Sequence, residues 1–281
     1  MSESDLKQLD ETITPLIRQG QSPYQILENH NEITCSARTI YSYIENNILS
    51  VKNLDLARKV KYKLRKPHQS EIKNTGIFEN RTFKDFTSFI GSFPDTNVIE
   101  MDTVLGCEGS HKVLLTFYFR SCKCMLAYLL PNRTSKSVVS VFDQLEKTLS
   151  TFGFRNTFPL ILTDRGGEFS DPERIETNVE NVIRTSIYYC DPMASWQKAG
   201  IEKNHEYIRY ILPKGSSFDN LTQRDINLMM NHINSTARAS LNGRTPFELA
   251  SLLLDPATVN AFGMRLIPPD DIVLKPSLLK K

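Results

Sequence analysis

Three carboxylates stand where phosphodiester chemistry can use them: Asp102 in VIEMDTV, Asp164 in LILTDRGGEF and Glu202 in WQKAGIEKNHEYIR. The first two interrupt or end apolar runs that read as strands. The third falls on a helical stretch 38 positions after the second. Metal-assisted cleavage of a phosphodiester needs no covalent nucleophile on the enzyme. Two divalent ions about 4 Å apart activate the attacking oxygen and stabilise the departing one. Carboxylates suit Mg²⁺, a hard ion that prefers oxygen ligands. If the two strands are neighbours, Asp102 and Asp164 stand side by side, and a helix across that end brings Glu202 towards them. Such carboxylates repel one another unless a cation is bound. Each also has a plainer reading alone: a surface-facing strand position, the opening of the turn DRGG, a solvated helix face.

The helix leaves one choice open. Glu202, Glu206 and Arg209 share a face by i, i+4 and i, i+3 spacing, so either Glu202 or Glu206 could be the ligand. Glu168, four residues after Asp164, and His205 are read as supporting groups beside the site. His205 is not a zinc ligand on this reading, because no Cys or second His stands at suitable spacing. Trp196 and Tyr188-Tyr189 read as core.

The elements that must position these groups are visible as changes of period. Runs 97–106, 111–120 and 122–130 predict three strands joined by short turns, therefore antiparallel. A helix follows through KSVVSVFDQLEKTL, with Val138, Val141, Phe142, Leu145 and Leu149 at helical spacing, and FPLILTD and RTSIYYC are two further strands. The strand–helix–strand pieces imply crossovers and a mixed α/β sheet. A helix from about Ser195 to Leu212 closes this core and Pro213 stops it. Further helices run through TQRDINLMMNHINSTARAS and from Thr245-Pro246, before an extended, proline-interrupted tail.

Ahead of this core the pattern is helical. Residues 10–19 predict a short amphipathic helix closed by Gly20. Ser22-Pro23 is an N-cap with proline at the first helical position, and Ser36 can cap a third helix ending near Asn47. The spacing fits a helix-turn-helix unit, with Arg38, Thr39 and Ser42 on or near the face open to DNA. Between Lys52 and Lys66 there are seven Lys or Arg residues against one acid, Asp55. A block of this kind favours phosphate and makes binding salt-dependent. Lys59, Lys61, Lys63 and Arg65, with Arg38, are the candidate phosphate contacts; Arg165, Lys203 and Arg209 are candidates for holding DNA near the carboxylates. The formal net charge of the 281 residues, +2, is too small to name a partner by itself, and the five scattered cysteines give no metal or redox spacing. No apolar run reaches a membrane span. The chain reads as cytoplasmic, acting at the nucleoid.

The segments VIEMDTVLG, LILTDRGGEFSDP, YYCDP followed by WQK, IEKNHEYIRYILPKGSSFD and LNGRTPFEL together resemble the transposases of bacterial insertion sequences of the IS30 family, in the retroviral-integrase-like DDE superfamily. The resemblance covers nearly the whole chain. It implies a ribonuclease H-like α/β fold: a mixed five-stranded sheet with flanking helices, preceded by a small helix-turn-helix module. It implies a catalytic triad of Asp102, Asp164 and Glu202, which selects Glu202 over Glu206, and two Mg²⁺ or Mn²⁺ ions. It implies double-stranded DNA, both element ends and target, as partner, and a homo-oligomer on that DNA. The expected division is 1–50 helix-turn-helix, 51–93 basic linker, 94–230 catalytic core and 231–281 C-terminal segment. Departures from the family pattern are Arg165 in place of Asn, Gly167 in place of Ser, and Ala199 before Gly200. Such proteins also carry a further N-terminal helix-turn-helix, and this chain begins almost at the second one. The alternative is therefore a decayed or domesticated DNA-binding regulator derived from a transposase.

Overall fold

A computed structural model describes residues 2–57 and 76–280. Three helices come first: α1 (Glu3–Arg18), α2 (Pro23–Asn29) and α3 (Ala37–Glu45). The caps expected from sequence form as read. Ser22 accepts from the Gln25 N–H with Pro23 at the helix start, and Ser36 accepts from the Thr39 N–H. Ile13, Ile17, Ile26, Ile40 and Ile44 close a small core of their own. The first helix is longer than 10–19 because Ser2 and Asp5 make a capping box upstream of it.

Within the stretch expected to be linker, Phe83–Ser92 forms helix α4, capped by Thr82 and Asp85. Phe86 packs with Val98, Leu160, Leu162 and Cys190, so this helix belongs to the core sheet and is not a spacer. Lys59, Lys61, Lys63 and Arg65 lie outside the described residues.

The sheet follows as β1 (Val98–Leu105), β2 (Val113–Phe119), β3 (Met125–Leu130), helix α5 (Ser135–Thr157), β4 (Leu160–Thr163), helix α6 (Pro172–Glu176) and β5 (Ser186–Tyr189). The strand order is β3-β2-β1-β4-β5, antiparallel over the first three and parallel across β1-β4-β5. That order and mixture of directions is the ribonuclease H-like fold. The alternation along β1 sorts the residues into two faces. Ile99 and Met101 point into a core with Leu115, Phe117, Phe119 and the α5 residues Val138 and Phe142. Val104 and Leu114 point the other way, under helix α7 (Ala199–Ile211) and helix α8 (Gln223–Asn234), through Ile208, Ile211 and Ile226. Asp102 and Glu100 share the parity of Val104 and so face α7.

Helices α9 (Pro246–Leu253) and α10 (Pro256–Ala261) return to the α5 side, where Ala250, Val259 and Phe262 join the first core. The tail then crosses to the N-terminal module. The Leu274 N–H donates to the Gln19 carbonyl (2.8 Å), and Gln21 Nε2 donates to the Pro269 carbonyl (2.8 Å). Gly20 adopts φ +98°, and a Cβ there would meet the Leu274 oxygen at 2.8 Å, so the junction admits only glycine without a shift.

Candidate active site

The parallel register pairs Glu100 with Leu162. Carried on by two residues, it puts Asp164, just past the end of β4, beside Asp102 within β1. The two carboxylates then meet on one cation, the Lys198 ammonium: Nζ lies 3.0 Å from Asp102 Oδ2 and 2.8 Å from Asp164 Oδ2. Lys198 is 5% exposed at its side chain and ends the 3-10 turn Ser195–Lys198 that leads into α7. Burial pushes Asp102 up to about 6; Lys198 works against this and Asp164 with it. Lys198 itself is shifted upward: burial lowers it, and the two aspartates outweigh that burial. The buried carboxylate therefore remains short of compensating charge even with an ammonium beside it. Hard oxygen donors converging on one cation, with charge still wanting, fit a divalent ion.

Two glutamates brace this pair, and the sequence reading missed one of them. Glu100 is 2% exposed, and its carboxylate accepts from Arg120 Nε (2.7 Å) and from the Ile201 N–H (2.6 Å) in the first turn of α7. Arg120 also donates to the Gln197 carbonyl (2.8 Å). A buried anion on a helix N-terminus and a guanidinium on the preceding turn fix where α7 begins. The signal was available, since Glu100 sits two residues before Asp102 and so on the same strand face. Glu168, also 2% exposed, accepts from Thr103 Oγ1 (2.6 Å) and Arg133 Nε (2.7 Å). A Cβ on Gly166 would fall 2.7 Å from Glu168 Oε2 and 3.0 Å from Asp164 Oδ1, so glycine there lets the two carboxylates approach.

The remaining candidates separate. Counted from Lys198, which precedes α7, the residues Glu202, His205 and Arg209 recur at helical spacing along one stripe. Glu202 is exposed in its first turn, and among the described residues no three Asp, Glu, His or Cys side chains converge. Glu206 and Lys203 are exposed as well. His205 Nε2 donates to Thr116 Oγ1 (2.9 Å), because that hydroxyl spends its own proton on the Asp102 carbonyl (3.0 Å). Burial first, then Lys198 and Arg209, lower His205 to about 4, so the ring is neutral. Arg209 Nη2 donates to the Leu105 carbonyl (2.9 Å). Arg165 stacks on Phe78, 4.8 Å from the ring centroid, with Nε lacking an acceptor among the described residues. Arg38 and Ser42 are exposed on α3, while Thr39 is half-buried and bonded to the Ser36 cap. Trp196 departs from its core reading. It is 71% exposed and meets Phe83 edge-on, whereas Tyr189 is fully buried. No helix among the described residues is long and apolar enough to cross a membrane.

No protein-family model matches the chain. Among curated proteins it is 30% identical over 180 residues to the ORF3 protein of Spiroplasma virus SpV1-R8A2 B, named as an integrase, covering 62% of this chain and 53% of that one. It is 27% identical over 151 residues to the transposase for insertion sequence element IS4351 of Bacteroides fragilis (53% and 43%) and 27% over 158 residues to the InsI transposase of IS30A of Escherichia coli (53% and 37%). The chain thus spans about half, or less, of the length of these relatives. Among solved structures, the catalytic core of BIV integrase overlaps at TM-score 0.39 with 18% identity, covering 54% of this chain and 91% of that one. The HTLV-2 integrase core in complex with magnesium overlaps at 0.36 with 19% identity (54% and 94%). In its curated relatives, its strand order and its paired aspartates, the chain is similar to the IS30-type transposases.

Proposed function

We propose that this chain carries the catalytic core of a polynucleotidyl transferase that cuts double-stranded DNA at insertion-sequence ends and joins the freed 3′-hydroxyl to target DNA. The observation that carries this reading is the meeting of Asp102 and Asp164, from adjacent parallel strands, on a single cation. Asp102 and Asp164, with Glu202 reaching in from α7, would hold Mg²⁺ or Mn²⁺, two ions in all. Bound there, such ions activate water or a 3′-hydroxyl and stabilise the departing oxygen. Glu100 and Arg120 set the start of α7, and with it the reach of Lys198 and Glu202. Glu168, gripped by Thr103 and Arg133, orients the loop that follows Asp164. His205, neutral, buttresses the Asp102 backbone through Thr116. Arg38, Thr39 and Ser42, Lys59, Lys61, Lys63 and Arg65, and Arg165, Lys203 and Arg209 are the candidate DNA contacts. The expected organisation is an N-terminal helical DNA-binding module, the core and a helical C-terminal segment, assembled as a homo-oligomer on DNA. The relatives named as transposases do not favour the non-catalytic alternative.

The test is cleavage and strand joining on labelled DNA carrying the element's own ends, with Mg²⁺ or Mn²⁺. Wild type should cut and join, and Asp164→Asn should fall to background. Equal activity in both proteins would remove the aspartates from the chemistry.

A further inference from the structure

A cleft of ≈ 640 Å³ opens between the N-terminal module and the core, on the flank of α7 away from the aspartates. Gly200, Lys203, Asn204 and Tyr207 line it, recurring along one stripe of α7, opposite the stripe of Lys198, Glu202, His205 and Arg209. Its charge is one-sided. Arg238, Lys123 and Lys203 line it, and none of the described lining residues is acidic. Five of the others are tyrosines: Tyr24, Tyr41, Tyr118, Tyr207 and Tyr210.

Arg238 carries the argument. It is 8% exposed, with its guanidinium carbon 4.8 Å from the centroid of the Tyr207 ring. Its Nη1 donates to Asn204 Oδ1 (2.6 Å), while Nε and Nη2 have no acceptor among the described residues. Lys198, Arg120 and Arg133 around the aspartates each face a carboxylate; this one faces an amide oxygen and a ring. A buried charge without a counter-charge is costly, and in the wall of a low-dielectric cleft it attracts an anion.

We propose that this cleft binds unpaired nucleotides of a DNA strand, with a phosphate drawn to the Arg238–Lys123–Lys203 group and bases stacked on the tyrosines. Cations that track phosphates, interleaved with aromatic rings that accept any base, are what single-strand recognition requires. The volume lies in the range that holds a ligand of nucleotide size. A strand seated there lies one helix diameter, about 10–12 Å, from the aspartates, the separation needed to hold a frayed end while a nearby phosphodiester is attacked. That the ligand is DNA rests on the proposed function; the phosphate-and-base chemistry of the cleft does not.

The experiment measures the affinity of the full chain for a duplex with a single-stranded 3′ tail and for a blunt duplex of the same sequence, with 5-iodouracil in the tail for photo-crosslinking. Wild type should prefer the tail at least tenfold and crosslink to peptides containing Tyr41, Tyr207 or Tyr210. The surface variant Lys123→Glu/Lys203→Glu and the buried variant Arg238→Met should both lose the preference, and Arg238→Lys should recover part of it. An unchanged preference in the surface variant, or crosslinks mapping elsewhere, would overturn the proposal. So would micromolar competition by deoxythymidine monophosphate without any tail preference, which assigns the cleft to free nucleotides instead. Asp164→Asn should bind the tail like wild type. Tail binding in a wild-type protein that never cuts DNA would remove the proposed function and keep the cleft; cutting by a protein without tail preference would do the reverse.

Discussion

Helix α7 divides two regions with opposite electrostatic solutions. On one flank a buried lysine is matched by two aspartates, and each glutamate behind them has its own arginine. On the other flank an equally buried arginine has no carboxylate partner among the described residues, and it shares the cleft lining with two lysines and five tyrosines. On the first flank Lys198, Arg120 and Arg133 each meet a carboxylate and the two aspartates share one ammonium, so a cation completes it. The second is left unmatched, so an anion completes it. A helix that holds both fixes the distance between a place where a strand is held and a place where it is cut. This holds only while the N-terminus of α7 stays where Glu100 anchors it.

Removing the internal match should give the largest effect. Lys198→Met leaves Asp102 and Asp164 facing each other without a cation. Breaking a buried pair costs roughly 3–5 kcal/mol, and with Asp164 44% exposed at its side chain the low end, about 3 kcal/mol, applies. Thermal denaturation in chelator should show the loss. Mg²⁺ or Mn²⁺ should stabilise the variant more than wild type, because the ion replaces an ammonium that wild type already has and ions that bind only the folded state raise its stability. An unchanged melting temperature in chelator would mean that Lys198 does not hold the two aspartates together.

The anchor comes next. Glu100→Gln removes the anion shared by Arg120 and the Ile201 amide and turns an NH₂ towards one of two donors. Hydrogen bonds to charged groups are worth about 1.5–3 kcal/mol, so the denaturation midpoint should fall accordingly. Exchange of the Ile201 amide should rise with it, while the α8 amides keep their protection. Uniform loss of protection in both helices would make Glu100 a general core residue and not the anchor of α7.

Glu100 also marks where sequence reading runs out. The five strands and the caps at Ser22 and Ser36 follow from local patterns, period-two apolar runs and capping chemistry, while the neighbouring placement of Asp102 and Asp164 is only a condition in the sequence, met by the pairing of β1 with β4. Glu100 differs because its value lies in two partners, 20 and 101 residues away, and neither spacing nor composition announces them. Lys198 is invisible for the same reason. In WQKAG it is one more cation, and only the packing of α7 against β1 brings it to the aspartates. Phe83–Ser92 merges into a basic linker on sequence because its apolar residues follow a charged block. Its cap, Thr82 with Asp85, and the helical spacing of Phe83, Phe86, Phe89 and Ile90 are the signals that separate it.

The smallest effect concerns the wall of the cleft contributed by the N-terminal module. Gln21, Ser22 and Leu274 line it, and the module is docked there by backbone bonds to the tail and by His30, which bridges Glu32 (2.7 Å) and Asp270 (3.0 Å). Burial lowers the His30 pKa, and the hydrogen bonds and charges of Glu32 and Asp270 outweigh it, so the net shift is upward. A group with a raised folded pKa contributes stability that is fully present below its unfolded value, about 6.5, and is lost as pH rises through the folded value. Docking should therefore weaken from pH 6 to pH 8. The two acids are 63% and 67% exposed at their side chains, so solvent screening keeps the change below about 1 kcal/mol. The Leu274 amide, bonded to Gln19, reports it: after correction for intrinsic rates, its exchange protection should fall between pH 6 and pH 8 in wild type and stay level in His30→Gln. Parallel slopes in the two proteins would place the pH response elsewhere. A fall in tail-DNA affinity that tracks the loss of Leu274 protection would tie the module's docking to the unmatched flank of α7, since the described partners of the aspartate pair include no residue of that module.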